Sequence, residues 1–139
     1  MDKKYAVMLV DRKKAKFFIL NNGKATATEE FVNGLVPQRV KHGDNAWDAQ
    51  DKINRHIEEH LHRHLQGVNL AFASFIQKNP SNLILIGSHR TLFSKIKKHL
   101  SYPYSKKVKG YFVTELKMPF GDILKRVNRT VEVIEEKEL

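Results

Sequence analysis

The chain of 139 residues contains no cysteine, which excludes a disulfide framework, a thiol nucleophile and any cysteine-ligated zinc or iron–sulfur site. Long hydrophobic runs are missing as well. The apolar run nearest the N-terminus, Tyr5 to Val10, is too short for a signal-peptide core or a membrane span. These two absences favour a cytoplasmic protein.

Acidic residues are missing from a long central stretch. After Glu59 the next carboxylate is Glu115, although the chain holds 15 Asp and Glu residues in total. The stretch between them carries these basic residues: Arg63, Lys78, Arg90, Lys95, Lys97, Lys98, Lys106, Lys107 and Lys109. The formal net charge of +10 and its one-sided distribution favour a polyanionic partner, RNA or the ribosome, over an evenly solvated basic surface.

The remaining composition is that of a folded protein. Hydrophobic residues make up 41% of the chain and aromatic residues 9%, which is enough apolar material for one core. The length lies within the ~50–250 residues of ordinary globular domains. We therefore expect a single domain that spans residues 1–139.

Five segments have the pattern of β-strands. Tyr5–Val10 is continuously apolar, as is typical of a central strand covered on both faces, and Ala15–Leu20 follows a polar turn. The pair Asn22-Gly23 predicts a hairpin that leads into a more polar edge strand, Lys24–Val32. The fourth and fifth predicted strands are Leu83–Ile86 and Val108–Glu115.

Three segments repeat apolar residues at helical spacing: Trp47–Lys78, with Asp44 or Asn45 as its cap, Thr91–Leu100 and Phe120–Glu136. The long helix has an apolar stripe of Ile53, Ile57, Leu61, Leu65, Val68, Phe72, Phe75 and Ile76. The element order is β-β-β-α-β-α-β-α. With right-handed crossovers it predicts an α/β fold with a mixed five-stranded sheet of order 3-2-1-4-5 and helices on both faces, the arrangement of ribonuclease-H-like folds.

The long helix is longer than the globule is wide. At 1.5 Å per residue it measures ~48 Å, whereas a compact chain of this length has a radius of gyration of only ~14 Å. Either the helix bends, with Gly67 as the weak point, or its first turns project. The late start of the apolar stripe favours projection, so we expect the loop from Pro37 to Trp47 at an exposed tip.

Several segments carry a recognisable combination of residues. They are Tyr5-Ala-Val-Met-Leu-Val-Asp11-Arg12 with Ala15-Lys16-Phe17-Phe18, Lys41-His42-Gly43, Arg55-His56-Ile57-Glu58-Glu59-His60-Leu61-His62-Arg63-His64-Leu65, and Leu83-Ile84-Leu85-Ile86-Gly87. Together they resemble the central domain of archaeal and eukaryotic class-I peptide release factors and the related small bacterial translational machinery components. The resemblance covers nearly the whole chain and implies the same fold as the strand order.

The resemblance also implies a function at the tip. In release factors the Lys-His-Gly stretch leads into a Gly-Gly-Gln tripeptide, which enters the peptidyl-transferase centre and helps to place the water that attacks peptidyl-tRNA. Here Lys41-His42-Gly43 is followed by Asp44-Asn45-Ala46-Trp47. The glycines that permit close backbone approach to RNA are absent, so the hydrolytic motif does not carry over.

Three histidines of the long helix, His56, His60 and His64, are spaced by four residues. Two imidazoles at this spacing can share a zinc ion. Apart from Glu59, however, no carboxylate or cysteine stands beside them as a further ligand. We therefore interpret the three as a solvated or RNA-facing basic strip, partly packed against the sheet, and expect no metal and no cofactor.

Two further patterns weigh against catalysis. A two-metal nuclease needs several carboxylates near the ends of the first and fourth strands, but only Asp11 is available there. Ser88-His89 could be a nucleophile and a base, yet no orienting acid follows, and a helix cap is the favoured interpretation.

Trp47 either stacks on a base or covers the sheet edge, and the sequence leaves both open.

The leading hypothesis is a non-catalytic RNA- and ribosome-binding protein of the translation apparatus, acting on stalled or dormant ribosomes. Its expected partners are ribosomal RNA or tRNA and the large ribosomal subunit, and no membrane. The predicted nucleic-acid-binding residues are Lys41, His42, Gly43, Asn45, Trp47, His56, His60, Arg63, His64, Lys95, Lys97, Lys98, Lys106, Lys107 and Lys109. The alternative is a peptidyl-tRNA hydrolase that rescues stalled ribosomes through a degenerate tip. A third possibility is an adaptor whose tip binds protein.

Overall fold

A five-stranded sheet forms the centre of the molecule. The computed structural model describes residues 3–32, 46–101 and 103–138, and of residues 46–54 it describes the backbone alone. The sheet order is β3-β2-β1-β4-β5, which confirms the predicted topology. Its strands are β1 (Lys4–Val10), β2 (Lys14–Asn21), β3 (Lys24–Val32), β4 (Ile84–Ser88) and β5 (Val108–Val113).

The strand directions also agree with the prediction. The first three strands form an antiparallel meander, and β4 and β5 run parallel to β1. Asn22 and Gly23 have φ angles of 53° and 78°. Positive φ at both positions is what a two-residue hairpin turn needs to match the strand twist, so the predicted hairpin is confirmed.

The described part of the chain forms four α-helices and one 3-10 turn. They are α1 (Ala46–Lys78), the 3-10 turn Arg90–Leu92, α2 (Phe93–His99), α3 (Tyr104–Lys107) and α4 (Phe120–Glu138). The short α3 was not predicted, because four residues are too few to show helical periodicity. None of the described helices is both long and apolar enough to cross a bilayer.

Helices cover both faces of the sheet, as predicted. On one face Ala6, Met8 and Phe17 pack against α1 and α2. On the other face Tyr5, Val7 and Leu9 pack against α4. The division follows from the strand geometry, since successive side chains point to opposite faces. The continuous apolar run of β1 therefore supplies both halves of the core.

The side chains of α1 are described from Arg55 onward, and the first of these turns extend beyond the core. The helix has 33 residues and measures about 50 Å. The side chains from Arg55 to Glu59 are all exposed, and burial begins at Leu61. Projection is thus confirmed for this segment, but the predicted stripe was wrong at Ile57, which is 49% exposed. Helical spacing sets the angular position of Ile57, whereas burial also requires sheet beneath it.

Gly67 was predicted as a point where the long helix could bend, but α1 continues through it as one helix. A Cβ atom there would lie 2.8 Å from the Phe31 ring. Its missing side chain lets β3 approach the helix closely, which is a packing reason for glycine in a helix.

Candidate nucleic-acid interface

Six lysines lie on the three consecutive elements α2, α3 and β5. We call this surface the basic face; its lysines are Lys95, Lys97 and Lys98 of α2, Lys106 and Lys107 of α3, and Lys109 of β5. Lys107 is partly buried and the other five are exposed. Lys109 is the extra residue where the β4–β5 register shifts, because Val108 pairs with Ile84 and Gly110 with Leu85, and Val108 and Tyr111 pack on one side of the sheet. That is the side on which α2 packs, because Phe93 and Lys97 of α2 contact Tyr111.

One lysine of α2 is held over an aromatic ring. The Lys97 ammonium lies 4.7 Å from the Tyr111 ring centroid, within the range of a cation–π contact. The Phe93 ring lies 5.4 Å from the same centroid, tilted by 58°. Burial raises the pKa of Tyr111, so its phenol stays neutral at physiological pH. The ring therefore contacts a hydrophobic neighbour and a cation at once.

A second lysine repeats this arrangement on α3. The Lys107 ammonium lies 6.0 Å from the Tyr104 ring centroid. Tyr104 packs edge-on against Phe72, with ring centroids 6.5 Å apart, and Phe72 is fully buried. Tyr104 thus anchors α3 to the core, and the same ring contacts the Lys107 ammonium.

The surroundings of the basic face are poor in acidic side chains. Within the described residues, ion pairs join Lys3 to Glu138, Lys16 to Glu30 and Lys78 to Glu29, all away from this face. Residues 60–114 hold no carboxylate that could pair with α2 or α3 locally. Such a surface attracts a polyanion, because phosphate contacts release the counterions held by the nucleic acid.

Two histidines join α1 to α2 beside this face. His62 Nδ1 lies 2.7 Å from His99 Nε2, and His99 Nδ1 donates to the Lys95 carbonyl at 2.8 Å. Because His99 Nδ1 carries a hydrogen, its Nε2 in the neutral ring accepts the hydrogen of His62 Nδ1. The bond fixes where α2 lies against α1. Sequence reasoning missed this pair, since 37 residues separate the two histidines.

His64 is a correction to the predicted histidine strip. It is 1% exposed, and its Nε2 donates to the Asp11 carbonyl at 2.8 Å, so it has no surface to offer a nucleic acid. His56 is exposed and His60 partly exposed on the same helix. The spacing of four drifts around a helix of 3.6 residues per turn, which carries His64 toward the sheet. It anchors α1 to the turn after β1.

The burial of His64 predicts a pH-dependent stability. Its Nδ1 is buried and has no hydrogen-bond partner among the described residues. Burial lowers the pKa of His64, so near pH 6 the folded protein binds fewer protons there than the unfolded chain. The contribution of neutral His64 to the free energy of unfolding is therefore present above the ordinary histidine pKa of about 6.5 and is lost as pH falls below it.

Denaturant unfolding between pH 5 and pH 7.5 measures this effect. We expect His64→Gln, which keeps an N–H donor for the Asp11 carbonyl, to flatten the fall in stability of the wild-type protein at low pH. The exposed His56→Gln is the matched control and should keep the wild-type slope. An unchanged slope in His64→Gln would show that another group titrates.

The structure describes only some of the remaining predicted residues on α1 and before it. Arg63 is exposed, although the next residue, His64, is buried. Lys41, His42, Gly43 and Asn45 lie outside the described residues. Trp47 belongs to α1, but its side chain is likewise outside the description, so both interpretations of it stay predictions.

The residues weighed for catalysis are used structurally. The Ser88 hydroxyl is buried and donates to the Val10 carbonyl at 2.5 Å, so the predicted cap by Ser88 was wrong. His89 forms the cap instead, accepting from the Thr91 amide. Asp11 Oδ1 accepts the amides of Lys13 and Lys14 at 2.7 and 2.6 Å. Its carboxylate closes the β1–β2 turn.

No group of three or more His, Cys, Asp or Glu side chains that could hold a metal ion occurs among the described residues. The burial of His64 also divides the predicted histidine strip, because His64 faces the core whereas His56 faces solvent.

Comparison with known proteins places the chain in a family. The sequence profile of bacterial archaeo-eukaryotic release factor family 10 matches residues 1–132. The chain belongs to this family. Membership confirms the release-factor resemblance predicted from the sequence. Comparison with curated proteins gave no match.

Two solved structures are similar to this family member. The crystal structure of the archaeal translation termination factor aRF1 is 12% identical, with a TM-score of 0.59, over 97% of this chain and 40% of that one. A structure described as an archaeal protein is 11% identical, with a TM-score of 0.55, over 97% and 39%. These likenesses show a shared fold, and the chain spans about two fifths of each structure's length.

Proposed function

We propose that this release-factor family member is a non-catalytic RNA-binding protein of the translation apparatus that contacts the large ribosomal subunit. The observation that carries the proposal is the basic face, where six lysines gather on α2, α3 and β5 within a stretch free of carboxylates. Ribosomal RNA is the polyanion that a translation protein meets at highest concentration. Stalled or dormant ribosomes are the targets that a release-factor-like body without Gly-Gly-Gln would suit.

The exposed part of α1 supports the proposal through shape. From Arg55 to Glu59 the helix has every side chain exposed, beyond the core that begins at Leu61. A projecting helix can enter a cavity that the globular body cannot. In our proposal Lys41, His42, Gly43, Asn45 and Trp47 contact RNA there, with His56, His60 and Arg63 behind them.

Co-sedimentation with ribosomes tests the proposal. We expect the protein in the ribosomal fraction at low salt and its progressive release as salt rises, because each phosphate contact returns counterions to the nucleic acid. Nuclease treatment of the fraction separates RNA from protein as the partner. Absence from the ribosomal fraction at low salt would contradict the proposal.

Replacing three lysines of α2 tests which surface is used. We expect Lys95→Gln, Lys97→Gln and Lys98→Gln together to reduce the slope of log affinity against log salt, by about 0.9 for each phosphate that no longer meets a lysine. Filter binding to ribosomal RNA over a salt series measures the slope.

The matched control removes the same charge elsewhere. Lys117, Lys125 and Lys137 are exposed and lie outside the basic face, so their replacement by glutamine should change the slope far less. Equal reductions in the two triple variants would mean that net charge alone drives binding, which would contradict a defined interface.

Peptidyl-tRNA hydrolysis through a degenerate tip is the second candidate. It is favoured only by Lys41-His42-Gly43, which matches the residues that precede Gly-Gly-Gln in release factors. A peptide-release assay on stalled complexes separates the two functions. Release that survives Trp47→Ala and is abolished by His42→Ala would favour the hydrolase, whereas no release above background is expected for the binding protein.

A further inference from the structure

We propose that the basic face recognises the phosphate backbone of double-helical RNA and not unstacked bases. This inference rests on the proposed function, and it concerns how the same surface distinguishes one form of RNA from another. The observation behind it is that two of the described aromatic rings of this surface, Tyr104 and Tyr111, already carry lysine ammonium groups.

The rings of this face are poor platforms for bases. A base stacks on an open aromatic face, but Tyr111 is partly buried and contacts both Phe93 and the Lys97 ammonium. Tyr104 is held edge-on by Phe72 and carries Lys107. A base that stacked on the ring face that carries a lysine would have to displace that lysine.

The same contacts make the two lysines better phosphate ligands. A free lysine side chain loses rotamer entropy when its ammonium is fixed against a phosphate. Here the attraction to the Tyr111 and Tyr104 rings restricts Lys97 and Lys107 before RNA arrives. Each tyrosine therefore acts as a support that holds a positive charge at a defined place above the surface.

Lysine ammonium groups that are held in place, on a surface that makes no base contacts, favour the binding of a regular duplex. A double helix presents two phosphate strands at fixed spacing and hides its bases, so proteins recognise it largely by shape and backbone contacts. A single strand has a lower charge density, which gives less counterion release for each phosphate bound. It also gains protein affinity from stacking, but the described rings of Tyr104 and Tyr111 are already in contact with lysines.

Fluorescence anisotropy with a duplex and a single strand of equal length tests the inference. For the wild-type protein we expect tighter binding and a steeper salt dependence for the duplex. Tyr111→Phe keeps the ring and should bind as the wild type does. Tyr111→Leu removes the ring, and we expect about two- to fivefold weaker duplex binding, with single-strand binding changed no more than duplex binding.

The outcomes separate this inference from the proposed function. No binding to either RNA at low salt would contradict the proposed function itself. Tighter binding of the single strand, or a selective decrease in its binding by Tyr111→Leu, would show that the ring stacks on bases and would overturn the inference alone. Unchanged duplex binding in Tyr111→Leu would also overturn it.

A second variant covers the case in which Tyr111→Leu does not fold. Lys97 is exposed, so Lys97→Met should leave the fold intact while it removes the ammonium from the Tyr111 ring. We expect weaker duplex binding. Unchanged duplex binding would contradict the proposal, because the ammonium held over the Tyr111 ring would then contribute nothing to phosphate contact.

Discussion

Replacing Phe72 by alanine is expected to lower the free energy of unfolding by about 3–5 kcal/mol. Phe72 is fully buried on the face of α1 that meets the sheet. Its ring lies 5.3 Å from Phe17, 6.4 Å from Phe75 and 6.5 Å from Tyr104, measured between centroids. The substitution removes apolar surface and leaves a cavity that rigid neighbours cannot fill. Urea unfolding monitored by circular dichroism measures the decrease.

Ile57→Ala is the matched control on the same helix. Ile57 belongs to the same apolar spacing, but its exposure of 49% means that the substitution removes little packing. We expect a change within about 0.5 kcal/mol of wild type, as for ordinary surface positions. A large destabilisation at Ile57 together with a small one at Phe72 would contradict our account of where α1 leaves the core.

A methyl group at Gly87 is expected to destabilise the protein by about 1–3 kcal/mol. Gly87 lies on the central strand β4, between β1 and β5. An added Cβ atom would overlap the Phe112 ring and lie 2.9 Å from Leu9 Cδ2. Both neighbours belong to the packed face beneath α4, so neither can withdraw without a backbone shift. Thermal and urea unfolding of Gly87→Ala measure the effect.

Gly121→Ala tests whether the cost at Gly87 comes from crowding. Gly121 lies in the first turn of α4, and a Cβ atom there would meet nothing within 4 Å. Alanine reduces the entropy of the unfolded chain, so we expect a gain of about 0.4–1 kcal/mol. Similar destabilisation at the two positions would contradict the packing explanation.

The fold could be predicted from local patterns because each pattern had one physical solution. The apolar run Tyr5–Val10 requires cover on both faces, and the helical stripe from Leu61 to Ile76 requires a sheet beneath it. Asn22-Gly23 fixes the hairpin, and crossover handedness fixes the place of β4. These signals are short-range, so one sequence suffices to read them.

The candidate site was only partly predictable. Composition located the basic stretch, but spacing along the chain could not show that α2 places Lys97 over Tyr111 of β5. The same holds for the bond between His62 and His99. His64 was grouped with His56 and His60 by its spacing of four, but that spacing drifts around a helix of 3.6 residues per turn and carries His64 into the core. Contacts between distant segments leave no local signal.

Cryo-electron microscopy of ribosomes incubated with the protein tests the central claim most directly. Our account predicts density for the protein on the large subunit, with α2, α3 and β5 facing the backbone of a ribosomal RNA helix and the N-terminal turns of α1 directed into RNA. Density in which this face points to solvent or covers a ribosomal protein would contradict the account, as would ribosomes without bound protein at low salt.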